Sequence, residues 1–202
     1  GFATFLGTYR IEPGWSPTTI VGAESQFVNG HVVKGTKIGN ETPKFQMSFN
    51  NTVVVAKNWE FRMLWDWKNG GDVINLGRLI TDLGGTTKAK GKSAAENVQN
   101  MNDRLANLGA KTSGYVEDGS YLKLRELSVS YTLSKSTVSK VFGEKISYMK
   151  VGFAARNLIM ITNYSGYDPE VSQFGSVAIG RSVDTIPYPS SRSFYFNVSF
   201  GL

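Results

Sequence analysis

"RSFYFNVSFGL", residues 192–202, reads as a strand with two unlike faces. From Phe194 every second residue is apolar (Phe194, Phe196, Val198, Phe200 and Leu202), while Ser193, Tyr195, Asn197, Ser199 and Gly201 alternate with them as a small or polar set. A period of two is the mark of a β-strand with one apolar face. Strands of soluble proteins run about 5–6 residues, whereas this alternation holds for about ten. An apolar face of that length needs an apolar medium.

The same pattern recurs upstream. In "WEFRMLWDW" (residues 59–67) the odd positions Trp59, Phe61, Met63, Trp65 and Trp67 are large and apolar, set against Glu60, Arg62 and Asp66; only Leu64 breaks the rule. Such a face suits lipid, with Trp at the membrane interface. The preceding "KFQMSFNNTVVV" (44–55) aligns Phe45, Met47 and Phe49, and the tight turn "AKN" joins the two. "YLKLRELSVSYTL" (121–133) alternates Leu127, Val129, Tyr131 and Leu133 with Glu126, Ser128, Ser130 and Thr132, and "ISYMKVGFAARNLIMI" (146–161) sets Met149, Val151, Phe153 and Ala155 against Lys150, Gly152, Ala154 and Arg156. With residues 3–11 as a first candidate, the reading gives six strands.

Their connections alternate in length. Residues 12–43, about 68–120 and 162–192 are long; "AKN" and "SKSTVSKVFGEK" (134–145) are short. The second long connection is expected to hold a short helix: Ser93 and Glu96 form a capping box, Val98, Met101, Leu105 and Leu108 a helical stripe, and Gly109 a stop. Long connections on one side and short ones on the other are the outer-membrane barrel pattern, extracellular loops against periplasmic turns. The expected fold class is therefore all-β, an antiparallel transmembrane β-barrel segment. In it, Trp59, Phe61, Met63, Trp65, Trp67, Phe194, Phe196, Val198, Phe200 and Leu202 face lipid, and Glu60, Arg62, Asp66, Lys150 and Arg156 face the lumen. The competing architecture is a soluble β-sandwich carbohydrate-binding module, which would need turns at regular 8–12-residue spacing.

Composition is compatible with this and excludes other classes. No apolar run approaches the ~18 residues of a membrane helix, and the chain has no cysteine for a disulfide or thiolate site. The net charge of +6 invites nucleic acid as a partner, but the lysines of "TTKAKGKSAAE" (86–96) lack interleaved aromatics, so they read as a solvated loop. His31 is the single histidine, beside Gly30, without converging metal ligands. "GGDV" (70–73) lacks the Lys and Ser/Thr of a phosphate loop. Pro169 separates Asp168 from Glu170, which reads as a structured loop rather than a hydrolytic pair. No enzyme activity, metal or cofactor is expected. With no initiator Met or signal peptide at Gly1, the chain is expected to be a mature or truncated fragment.

"DGSYLKLRELSVSYTL", "ARNL", "YSGYDPEVS" and "YPSSR", in this order before an aromatic terminal strand, together with "IGNETPKFQMSFNNTVVVAKNWEFRMLWDWKNGGDV", resemble the C-terminal end of SusC/RagA-type TonB-dependent transporters. Ser134 stands where members often carry Pro. The resemblance implies about six C-terminal strands of a 22-stranded outer-membrane barrel in a Gram-negative bacterium, with the plug domain outside residues 1–202. It further implies a SusD-like surface lipoprotein as lid, TonB acting through the absent N-terminal region, and import of oligosaccharides or peptides. The loop "TNYSGYDPEVSQFG" (162–175) is then extracellular, and Tyr164, Tyr167, Asp168, Pro169 and Glu170 are its candidates for the rim or the partner contact.

Overall fold

The computed structural model describes residues 8–89, 91–172 and 182–201. In chain order the strands are β1 (Thr8–Tyr9), β2 (Thr19–Val21), β3 (Ser25–Val28), β4 (His31–Lys34), β5 (Lys37–Asn40), β6 (Pro43–Val55), β7 (Trp59–Gly70), β8 (Asp72–Asn75), β9 (Val116–Asp118), β10 (Tyr121–Thr132), β11 (Tyr148–Thr162), β12 (Val183–Asp184) and β13 (Ser193–Gly201). The helices are α1 (Leu76–Leu83), α2 (Ala94–Ala106) and α3 (Lys135–Phe142), with a 3-10 turn at Ser113–Tyr115. The chain divides into two compact units.

The first unit, Met47–Trp67, Leu122–Ile161 and Ser190–Leu202, is built on a five-stranded sheet of order β13-β11-β10-β7-β6. Antiparallel pairing of β11 with β13 sets Met149 opposite Phe200, Val151 opposite Val198, Phe153 opposite Phe196 and Ala155 opposite Phe194. Residues directly opposite share a face, so one side of this ladder is apolar throughout. Rings meet on that side: Trp59 and Tyr131 lie 4.8 Å apart, Phe153 and Phe194 6.1 Å apart. The face is not covered. Phe49, Trp59, Phe61, Phe194 and Phe200 are exposed, and Phe196 reaches 75%.

Tight turns close this sheet's short connections. In the three-residue turn between β6 and β7, Ala56 and Lys57, at φ +50° and +64°, both occupy the left-handed region. Asn58 then bonds Thr132 twice, its side chain donating to the Thr132 carbonyl and its own carbonyl accepting from the Thr132 N–H, each at 2.8 Å. The link between β10 and β11 forms the two-turn helix α3, capped by Ser134 and ended by Gly143 at φ +75°, with Val138 buried. Five of the six expected strands form the sheet. Of the first candidate, residues 3–7 lie outside the described residues, and Thr8–Tyr9 pairs with β2 rather than with the large sheet.

The second unit comprises Gly1–Gln46, Lys68–Tyr121 and Thr162–Pro189. Residues 12–43, expected as one long polar loop, instead hold the short strands β2–β5; β2 pairs with both β1 and β5, and β3 with β4. A third sheet, β12-β8-β9, shares the core with the β1-β2-β5 sheet: Ile20, Ile74 and Val183 are fully buried, with Ile38, Leu76 and Val116 packed on them. Asn75 caps α1 by accepting from the Arg78 N–H, and the Ser93–Glu96 capping box opens α2 as the sequence predicts. Helix α2 ends at Ala106, and its expected apolar stripe is only partly covered, with Val98 and Leu108 exposed. No helix among the described residues is long and apolar enough to cross a membrane, which says nothing of strands.

Candidate functional site

The face of the large sheet opposite its apolar side gathers charge. Glu60 of β7 accepts from Lys150 Nζ of β11 at 2.7 Å and from Arg62 Nε at 2.5 Å. Arg156 of β11 donates to Glu126 of β10 at 3.0 Å, and its guanidinium lies 5.3 Å over the Tyr195 ring of β13. These residues border a hollow of about 280 Å³ together with Gly152 and Asn197. Gly152 is opposite Asn197 across the ladder, and a Cβ there would strike the Asn197 side chain. The structure thus brings together Glu60, Arg62, Lys150 and Arg156 and sets Asp66 apart, buried and held by Arg125 at 2.6 Å.

Arg125 and Glu126 are neighbours in sequence, yet each pairs with a charge of the polar set. This coincides with the change of apolar parity in β10, from Leu122 and Leu124 to Leu127, Val129 and Tyr131. Glu126, Tyr195 and Asn197 were legible only as the polar half of an alternation; nothing in the sequence marked which of them would meet Arg156.

The second unit holds the loop that follows β11. Tyr164 is 4% exposed and donates to Asp184 Oδ2 at 2.5 Å, while Asp184 Oδ1 accepts from the Ile186 N–H. Burial, then the bond to Asp184, pushes the Tyr164 phenol well above its ordinary value. Glu117 of β9 gathers the same region: it accepts from Arg78 at 2.8 Å, from Asn75 at 2.9 Å, and from the Ser165 N–H and hydroxyl at 2.9 and 2.8 Å. Asp168 is buried and accepts from the Glu170 N–H, closing the turn around the buried Pro169, and Glu170 accepts from the Tyr121 hydroxyl at 3.4 Å. Tyr167 differs from these neighbours, being 70% exposed.

Helices α1 and α2 are joined by Arg104, which donates to both oxygens of Asp82 at 2.7 Å. Burial works against the charge of Asp82, but Arg104 and Thr87 hold its carboxyl below the usual carboxylate range. Tyr115 is fully buried beside them, and burial, then the Asp82 charge, pushes its phenol up to about 12. The unit contains a cavity of about 640 Å³ bordered by α1, by Thr87, Lys88 and Lys92, and by Gly166 and Tyr167. His31 lies in β4, exposed. Among the described residues no group of three or more His, Cys, Asp or Glu is placed to hold a metal ion.

No family model matches the chain. It is 30% identical over 167 residues to TonB-dependent receptor P3 of Formosa agariphila, covering 78% of this chain and 16% of that protein. TonB-dependent receptor P26 of the same organism is 25% identical over 221 residues, covering 97% of this chain and 22% of that protein. Among solved structures, the RagAB peptide importer in its open-open state matches with a TM-score of 0.61 at 19% identity, over 97% of this chain and 22% of the matched one. Its closed-closed state gives 0.56 at 22% identity, over 86% and 18%. The chain is similar to a part of TonB-dependent receptors, and its fold is that of a part of RagAB, consistent with a fragment of a SusC/RagA-type receptor.

The likeness to RagAB extends to the fold, mostly antiparallel sheet with few helices, as in a piece of a barrel wall. The described sheet is open, with β6 and β13 at its edges. The competing β-sandwich is thereby set aside: a sandwich buries its apolar faces between two sheets, whereas Trp59, Phe61, Trp67, Phe194, Phe196 and Phe200 of this face are exposed. The chain spans 16% of the length of receptor P3 and 22% of that of receptor P26.

Proposed function

We propose that the chain forms part of the C-terminal barrel wall of an outer-membrane, TonB-dependent importer of oligosaccharides or peptides, working with a SusD-like surface lipoprotein. The observation that carries the reading is the two-faced sheet. Its exposed apolar side, from Met47 and Trp59 to Phe196 and Phe200, suits lipid, and its opposite side pairs charges between strands, as suits a lumen or plug contact. Trp59, Phe61, Met63, Trp65, Trp67, Phe194, Phe196, Val198 and Phe200 are then lipid-facing; Leu202 belongs to the same alternation but lies outside the described residues. Glu60, Arg62, Lys150 and Arg156 line the lumen. The remaining wall and the plug complete the barrel, and TonB acts through the N-terminal region of the whole receptor. In the loop after β11, Tyr167 is the residue presented to solute or lid, and Tyr164, Asp168, Pro169 and Glu170 hold it in place.

The test uses the full-length receptor in its host. Deleting it, or TonB, should abolish uptake of one class of labelled oligosaccharide or peptide, and the tagged receptor should fractionate with the outer membrane and carry a surface lipoprotein through purification. Soluble fractionation, or uptake of every class unchanged by both deletions, would overturn the proposal.

A further inference from the structure

Two stretches prominent in the sequence, the lysines of residues 86–96 and the aromatic loop after β11, have no part in the sheet. In the second unit both border the same cavity, of about 640 Å³. We infer that this cavity binds an anionic oligosaccharide, whose acidic groups lie against Lys88 and Lys92 and one of whose sugar rings lies on Tyr167. The inference rests on the reading of the chain as part of an importer and specifies the class of its solute.

Size and charge fit first. The volume lies within the ~300–1,000 Å³ of small-molecule sites. Of the charges on its border, Arg78 is committed to Glu117, and Asp184 to Tyr164 and the Ile186 N–H. Lys88 is exposed and has no carboxylate partner among the described residues. Lys92 meets only Glu96, at 3.4 Å, with both side chains about half in solvent. Exposed pairs of this kind contribute little, so a ligand anion can replace Glu96 at small cost. The cations available to a solute therefore outnumber the carboxylates.

The uncharged lining selects sugar over peptide. Thr81 donates its hydroxyl hydrogen to the Arg78 carbonyl at 2.9 Å, and Thr87 donates to Asp82. Each hydroxyl oxygen keeps acceptor capacity, which suits a ligand rich in O–H donors. Tyr167 adds an exposed ring with a polar tip, a surface on which a pyranose can stack. An extended peptide is best held by a free strand edge. The strand residues on this border are the last of β8, Asn75, and Asp184 of the two-residue β12, which offer no length of strand for an extended peptide and whose side chains are already held as described.

The test is calorimetry on the full-length receptor in detergent, which reads binding apart from transport. The probes are a galacturonate tetrasaccharide and its methyl ester, a sulfated galactose tetrasaccharide and its desulfated form, and a hexaglutamate peptide. At least one acidic sugar should bind about tenfold more tightly than its neutral counterpart, and the two acidic arms show whether carboxylate or sulfate is preferred. The double variant Lys88→Ala/Lys92→Ala, folded as judged by heat-modifiability, should lose about tenfold in affinity for the acidic sugar and keep its weaker affinity for the neutral one. Tyr167→Ala should weaken both. Binding confined to the neutral sugars or the peptide, no binding by a receptor that still imports, or acidic-sugar binding indifferent to the lysine pair would each overturn the inference. Loss of TonB-dependent import with acidic-sugar binding intact would count against the transporter reading and leave the cavity assignment standing.

Discussion

Tyr164 donates its hydroxyl hydrogen to Asp184 across 2.5 Å inside the loop unit, with the ring packed so closely over Gly166 that a Cβ at that glycine would strike it. Removing only the hydroxyl leaves Asp184 buried with one donor fewer. Tyr164→Phe is expected to destabilise the loop unit by about 1–3 kcal/mol, since a carboxylate acceptor is left short of a partner. Protease cleavage in residues 162–189 of the detergent-solubilised receptor should quicken accordingly, and Gly166→Ala should do the same by displacing the ring.

The clasp between Arg104 and Asp82 makes an acid-sensitive joint. Asp82 is folded with its pKa below the ordinary value, so its contribution to stability is complete above the unfolded pKa of about 3.9 and is lost as pH falls through the lower, folded value. Asp82→Ala removes that dependence and strands a largely buried guanidinium, which is expected to cost about 3–5 kcal/mol. Urea titration of the loop unit, followed by protease protection between pH 2 and pH 7, measures both.

Tyr115 predicts the opposite limb. Its folded pKa of about 12 lies above its unfolded value, so the associated stability is whole below about pH 10 and drains away as pH rises through 12. The hydroxyl finds no well-formed hydrogen bond among the described residues. Tyr115→Phe should therefore leave stability at pH 7 within about 1 kcal/mol of wild type and flatten the alkaline loss between pH 10 and pH 12. An unchanged alkaline slope would show that other groups set it.

Across β13, the two sides of the strand should respond unequally to charge. Val198 pairs with Val151 in the apolar ladder, and Asn197 borders the polar hollow. Val198→Arg is expected to cost about 2–4 kcal/mol of barrel stability if it sits at the bilayer midplane, and Asn197→Arg less than about 1 kcal/mol. Heat-modifiability and urea unfolding in lipid vesicles separate them; equal losses would contradict the assignment of faces.

The sheet was readable because its strands are long. Nine to twelve residues in near-regular alternation, as in Trp59–Gly70 and Ser193–Gly201, make the period plain. Strands of two to four residues, such as β2, β5 and β8, carry too few positions to show any period, and the polar stretch 12–43 concealed four of them. The capping box at Ser93 was legible because it is local, with both partners within one helical turn. The clasp of Asp82 by Arg104 spans 22 positions, and the bond from Tyr164 to Asp184 spans 20; nothing in the intervening sequence announces either. Lys88 and Lys92 were visible as part of a lysine cluster, but their place beside Tyr167 on one cavity follows from folding alone.

The polar hollow of the large sheet is bordered by three cations, Arg62, Lys150 and Arg156, and two carboxylates, Glu60 and Glu126. Pairing fixes these side chains without neutralising the patch, so its water holds a standing excess of small mobile anions, confined within the ~8 Å over which physiological salt screens. In the proposed barrel this stretch of wall would act as a weak anion exchanger. A negatively charged solute would displace mobile anions held there and gain the entropy of their release, whereas a positively charged one would have no such reservoir to draw on.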